Sequence, residues 1–257
     1  MRLIPRLHRA REAGGEMTLV EHLEELRRRL FICLAAIGIA AIAGWFLFSP
    51  VLTLLRHPFC ESIRHLPAKA QPPTGCRFVF QGVLEAFVVK LKVVVFIGLG
   101  IALPVVLYQL WAFIVPGLTR KERRLAVPFV LSSMVLFGLG TLFAYFTLPR
   151  GLNFLLGFAG EGFVPLLSAD RFLGFVILLT LAFGISFEFP LVLIFLTNVG
   201  VLSSQKLRSW RRSAIVFIAV FAAVITPSSD PYTMTALLIP MYLFYEVAII
   251  VSRLMKK

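Results

Sequence analysis

Apolar residues along this chain fall into six long runs, at positions 30–48, 83–111, 125–146, 172–198, 213–225 and 233–251. A bilayer core about 30 Å thick accepts about twenty such residues as one spanning helix, so each run predicts a transmembrane helix. The fifth run is short. At 1.5 Å per residue it covers roughly 20 Å, so either its ends extend through Trp210 and Thr226 or the bilayer thins around it. Ahead of the first run, the stretch T-L-V-E-H-L-E-E-L-R-R-R-L at 18–30 opens with Thr18 and Glu21 in capping-box spacing and lines Leu19, Leu23, Leu26 and Leu30 along one face. That pattern predicts an amphipathic helix over 18–29 at the membrane surface, preceded by a flexible tail over 1–17. The expected fold class is all-α: a polytopic integral membrane protein of six transmembrane helices, in one domain over 1–257.

Composition points the same way, with 59% hydrophobic residues and a mean hydropathy of +0.89, well above the roughly half-apolar make-up of soluble domains. The net charge of +13 would suit a nucleic-acid binder, but the basic residues are segregated. With six spans, the N-terminal arginines, the clusters at 120–124 and 206–212 and the C-terminal residues 253–257 share one side. The other side receives Arg56, Arg64, Lys69, Arg77, Arg150 and Arg171. The positive-inside rule then puts both termini in the cytoplasm, with lipid rather than nucleic acid as the partner. Lys90 and Lys92, early in the second span, are expected to snorkel outward. The first apolar run is too long, and too far behind a basic helix, to be a cleavable signal peptide.

The chemistry of enzymes is missing. All four histidines, His8, His22, His57 and His65, lie outside the spans, and the sequence holds no H-E-x-x-H, G-x-S-x-G or phosphate-loop pattern. No enzymatic activity, metal site or cofactor is expected, and any energy must come from outside the chain. Cys60 and Cys76 both fall in the loop predicted between the first two spans, on the oxidising side, while Cys33 lies inside the first span. A bridge there would contribute about 3 kcal/mol in the chain-entropy model, and two free thiols are the alternative.

Three carboxylates stand out. Glu25 has a structural use as an i to i+4 partner of Arg29, a weak pairing of a few tenths of a kcal/mol that leaves the carboxylate able to change partners. Glu122, in G-L-T-R-K-E-R-R, completes a capping box with Thr119 and sits among Arg120, Lys121, Arg123 and Arg124. A guanidinium is the natural ligand for such groups, because its planar fork gives a carboxylate two charge-assisted hydrogen bonds. Glu188, in F-G-I-S-F-E-F-P, lies inside the fourth span, where an acidic residue costs about 2.5–3.5 kcal/mol and faces a cavity or a partner. It is read as a protonated side chain bonded to a neighbouring helix, as a docking point for another transmembrane helix, or as a proton or ion site. Pro190 loosens the helix beside it. The glycines around 137–140 read as packing surfaces.

Six sequence blocks resemble the TatC subunit of the twin-arginine protein translocase: H-L-E-E-L-R-R-R-L at 22–30, Y-Q-L-W-A-F-I-V-P-G-L at 108–118, K-E-R-R at 121–124, F-A-Y-F at 143–146, F-G-I-S-F-E-F-P at 183–190 and I-P-M-Y-L-F-Y-E at 239–246. The likeness runs from Thr18 to Lys257. It implies a cupped, concave six-helix protein of the cytoplasmic (inner) membrane that acts as the core receptor for export of folded proteins. The implied partners are twin-arginine signal peptides of folded cargo, small TatA-like and TatB-like single-span proteins, and further copies of the chain; the implied energy source is the proton gradient. By the same likeness Glu25 and Glu122 bind the paired arginines, Arg27 belongs to the same patch, Glu188 marks where partner helices dock, and Pro58, Phe113 and Asp230 align with positions tied to transport. The rival reading is an ion- or proton-coupled secondary transporter using Glu188, which calls for an inverted repeat and broken helices. A passive assembly scaffold is a third.

Overall fold

The computed structural model describes residues 19–64, 71–114, 126–158, 166–228 and 230–255. These form helices α1 (Leu19–Arg64), α2 (Glu85–Ile114), α3 (Ala126–Gly157), α4 (Ala169–Phe187), α5 (Phe189–Asn198), α6 (Ser204–Ser209), α7 (Arg211–Ile225) and α8 (Pro231–Leu254). Among the described residues the one extended pairing is an isolated bridge between Val79 and Ser168. The all-α, polytopic class expected from the apolar runs is the class observed. Five stretches are long and apolar enough to cross a membrane: Leu19–Arg64, Glu85–Ile114, Val127–Gly157, Ala169–Asn198 and Pro231–Leu254.

Helix α1 departs most from its expected bounds. The amphipathic segment, the first span and much of the predicted external loop are one helix of 46 residues, about 69 Å long at 1.5 Å per residue. The loss of apolar character after Phe48 marks the exit from lipid, not the end of the helix. Beyond it Leu55, Phe59, Ser62 and Ile63 recur at helical spacing and are buried, so packing carries the helix on through Pro50 and Pro58. Cys60 therefore lies on α1 and not in a loop.

The fourth run is also divided. Pro190, at the start of α5, brings no N–H, and the Glu188 N–H donates to the Ile185 carbonyl at 3.1 Å, a tightened turn that ends α4. Glu188 keeps helical angles, φ −72° and ψ −16°, so the chain carries on through the joint. Helix α7 is short, at 15 residues. Its start reaches back to Arg211, but of the two readings of this run the extension through Trp210 and Thr226 does not occur. Trp210 closes α6, and Thr226, which precedes Pro227, is forced to an extended ψ of 122°.

Helices α1 and α2 pair, as do α3 with α4 and α5 with α8. Two glycines let backbones meet. A Cβ on Gly98 would lie 2.9 Å from the Ile37 carbonyl of α1, and one on Gly140 would lie 2.6 Å from the Phe183 carbonyl of α4. At the end of the bundle away from the α1 N-terminus, Phe59, Phe78 and Phe172 form an aromatic cluster with centroids 5.2–5.5 Å apart.

Candidate functional site

Glu25 sits on the first turns of α1, on the face turned toward the last turns of α2. Arg29, one turn on, donates to Glu25 Oε1 from both Nε (3.1 Å) and Nη2. Its Nη1 donates to Gln109 Oε1 of α2 at 3.0 Å, so the guanidinium is tied to two helices. The other carboxylate oxygen, Glu25 Oε2, is buried and accepts no hydrogen bond among the described residues. A buried acceptor left unpaired in this way costs about 1–3 kcal/mol. Beside it His22 stacks on Phe113 with centroids 4.3 Å apart, which brings Phe113 to the same corner. Arg27 does not join them. It is exposed, and its guanidinium lies 5.7 Å from the Phe31 ring centroid. Glu122 lies outside the described residues.

Glu188 belongs to a second constellation, deeper in the bundle. Trp111 Nε1 donates to Ser133 Oγ at 2.7 Å, and Ser133 Oγ donates to Glu188 Oε2 at 2.7 Å, a chain crossing α2, α3 and the α4–α5 joint. Glu188 Oε1 is buried with no hydrogen-bond partner among the described residues. The Trp111 ring is packed by Phe129 and Phe195, with centroids 5.0 and 5.4 Å away.

The remaining candidates lie at the far end. Pro58 is buried in α1, and its carbonyl accepts from Ser62 Oγ at 2.9 Å; the same hydroxyl reaches the Pro149 carbonyl of α3 at 3.2 Å. Asp230 caps α8, accepting the Thr233 N–H at 2.8 Å and the hydroxyls of Ser228 and Thr233. Burial pushes its carboxyl up, but these hydrogen bonds outweigh that and hold it below the ordinary aspartate value. The two lysines of α2 part ways: Lys90 Nζ lies 3.7 Å from the Trp45 ring centroid, and Lys92 pairs with Asp170 at 2.6 Å.

The sequence profile described as "Sec-independent protein translocase protein (TatC)" matches residues 21–240. The chain belongs to the TatC family. It is 48% identical to the TatC of Frankia casuarinae, over 93% of this chain and 66% of that protein, so it spans just under two thirds of that relative. Against the TatC of Aquifex aeolicus it is 38% identical, over 93% of this chain and 95% of that one. A chloroplastic TATC of Arabidopsis thaliana is 42% identical over 90% of this chain. Among solved structures, the crystal structure titled "Twin Arginine Translocase Receptor- TatC" superposes with a TM-score of 0.74 at 37% identity, covering 92% of this chain and all of that one. The all-helical fold of this chain is thus the fold of that TatC structure, with α7 as a shorter apolar helix beside the five long ones.

Sequence reasoning missed Gln109, Trp111 and Ser133. Gln109 carried a faint signal, as a polar residue within the apolar run at 83–111. Ser133 carried none, since a single serine in a membrane helix normally bonds back to its own backbone.

Proposed function

We propose that this TatC-family chain is the receptor core of a twin-arginine translocase, taking the paired arginines of a signal peptide on Glu25 and Glu122. The observation that carries the reading is the unfilled oxygen of Glu25, held next to a guanidinium that already occupies the first. An incoming arginine supplies the donors that Oε2 lacks, and Arg29 with Gln109 fixes the carboxylate for it. Both termini and this corner face the cytoplasm, in agreement with the clustering of basic residues. Arg27 stays exposed on the opposite side of α1, free to meet lipid phosphate or another stretch of the peptide.

The apolar part of the signal peptide then enters the concave face. Small single-span partners of the TatA and TatB kind assemble there, further copies of the chain join the complex, and the proton gradient drives export of the folded cargo. Glu188 suits partner docking because its free oxygen, in a low-dielectric setting, favours any helix that brings a polar donor. The helix interruption at Glu188 would also serve a proton- or ion-coupled transporter, and solute-dependent proton uptake by vesicles holding this chain alone would select that reading instead.

The test is photocrosslinking of a twin-arginine signal peptide to the chain in membranes. Glu25→Gln and Glu122→Gln should each weaken capture at least tenfold, about 1.4 kcal/mol, and Glu25→Lys with Glu122→Lys should abolish it. Undiminished crosslinking to the doubly reversed chain would overturn the assignment.

A further inference from the structure

At the end of the bundle away from Glu25, the last turns of α1 meet the chain returning toward α2. Cys60 lies on α1, one residue after Phe59, which is 1% exposed and anchors this end of the core. The returning chain is shaped by a turn in which the Gly75 N–H donates to the Pro72 carbonyl at 2.9 Å and the Arg77 N–H to the Thr74 carbonyl at 3.2 Å. Gly75 takes a φ of 57°, the left-handed region that glycine enters at little cost. Cys76 follows directly, and it is a neighbour of Cys60 across this junction.

The alignment of the two segments has independent anchors. Phe78 stacks on Phe59 at 5.5 Å and on Phe172 at 5.2 Å. Val79 is then clamped to the segment before α4, donating to the Leu167 carbonyl and accepting from the Ala169 N–H, each at 3.3 Å. The two segments that carry the cysteines are thus held together by aromatic packing and backbone bonds rather than by the cysteines themselves. Both are free, half-buried thiols in this structure.

We infer that Cys60 and Cys76 are the site of a disulfide that staples the return loop to the outer end of α1. The inference rests on the proposed orientation, which puts this end on the oxidising side of the membrane. The oxidant is a thiol oxidase carrying an exchangeable disulfide. One thiolate of the pair attacks that disulfide to give a mixed disulfide, and the second displaces the oxidase sulfur. Two thiols become one S–S bond, and the two electrons and two protons they give up reduce the oxidase disulfide to a dithiol. The consequence is mechanical: the cluster of Phe59, Phe78 and Phe172 is locked where α1, the return loop and α4 meet.

The experiment is thiol counting on the full chain in its membranes. The chain has three cysteines, and Cys33 serves as the internal reference. Maleimide-polyethylene glycol added under denaturing, non-reducing conditions should tag Cys33 alone, and all three after reduction. Cys60→Ser should leave Cys76 open to tagging without reduction, and Cys76→Ser should do the same for Cys60. A reductant should lower the unfolding temperature of the purified wild-type chain by several degrees and leave the Cys60→Ser, Cys76→Ser double variant unmoved. Full tagging of all three cysteines without reduction would overturn the bridge. In that case a membrane-impermeant maleimide applied to intact cells separates the causes: if it reaches Cys60 and Cys76 the orientation stands and the bridge alone is wrong, and if only a permeant reagent reaches them the orientation has failed as well.

Discussion

At the scale of single residues, Asp230 illustrates the consequence of a buried polar group whose hydrogen bonds are made. Its carboxylate caps α8 and takes the hydroxyls of Ser228 and Thr233, so the folded state releases its proton at lower pH than the unfolded chain does. Stability from this group is fully present above the unfolded value, about 3.9, and is lost as pH falls through the folded one. The unfolding temperature in detergent should therefore drop as pH is lowered from about 4 toward about 2. Asp230→Asn keeps a capping oxygen but has no proton to bind, so part of that drop should disappear. Scanning fluorimetry across this pH range checks it, and an identical pH profile for the two proteins would refute the role. Glu25 teaches a related lesson. Its pairing with Arg29 follows from helix periodicity, but the reach of Arg29 to Gln109 does not, because those residues come from different helices.

At the scale of elements, length and composition located the helices well and their ends badly. The runs read from hydropathy stop where lipid contact stops, while the helices continue as long as one face has something to pack on, as α1 does through Phe59 and α3 does through Leu152. The α4–α5 joint runs the other way, with apolar character unbroken across a hydrogen-bond ladder that Pro190 interrupts. Helix pairing depends on close approach at small residues, and α3 gives a controlled test. Gly140→Val would force a Cβ to within 2.6 Å of the Phe183 carbonyl, an overpacking cost of about 1–3 kcal/mol. Gly138→Ala, two residues away, meets nothing within 4 Å and should be tolerated or slightly stabilising. Unfolding temperatures of the two variants should move apart, with only the first falling; equal shifts would mean that α3 and α4 are not packed through Gly140.

At the scale of the whole molecule, the proposed receptor corner exists because α1 and α2 lie side by side, which puts Gln109 beside Arg29 and Phe113 on His22. Gln109→Leu should leave the helices assembled while releasing the guanidinium. Binding of a twin-arginine peptide should weaken about twofold to tenfold, the 0.5–1.5 kcal/mol of one hydrogen bond, with helicity and unfolding temperature held. Unchanged affinity would remove Gln109 from the site. What the sequence alone determined was the solvent, the number of apolar runs and the clustering of basic residues between them, because bilayer thickness and charge partition act on each segment separately. Only the tertiary structure decided which oxygen of Glu25 is left open among the described residues, that Trp111 and Ser133 hold Glu188, and that the segment after Cys76 packs on the end of α1. Those contacts join residues far apart in the chain, and no local periodicity encodes which faces of two helices will meet.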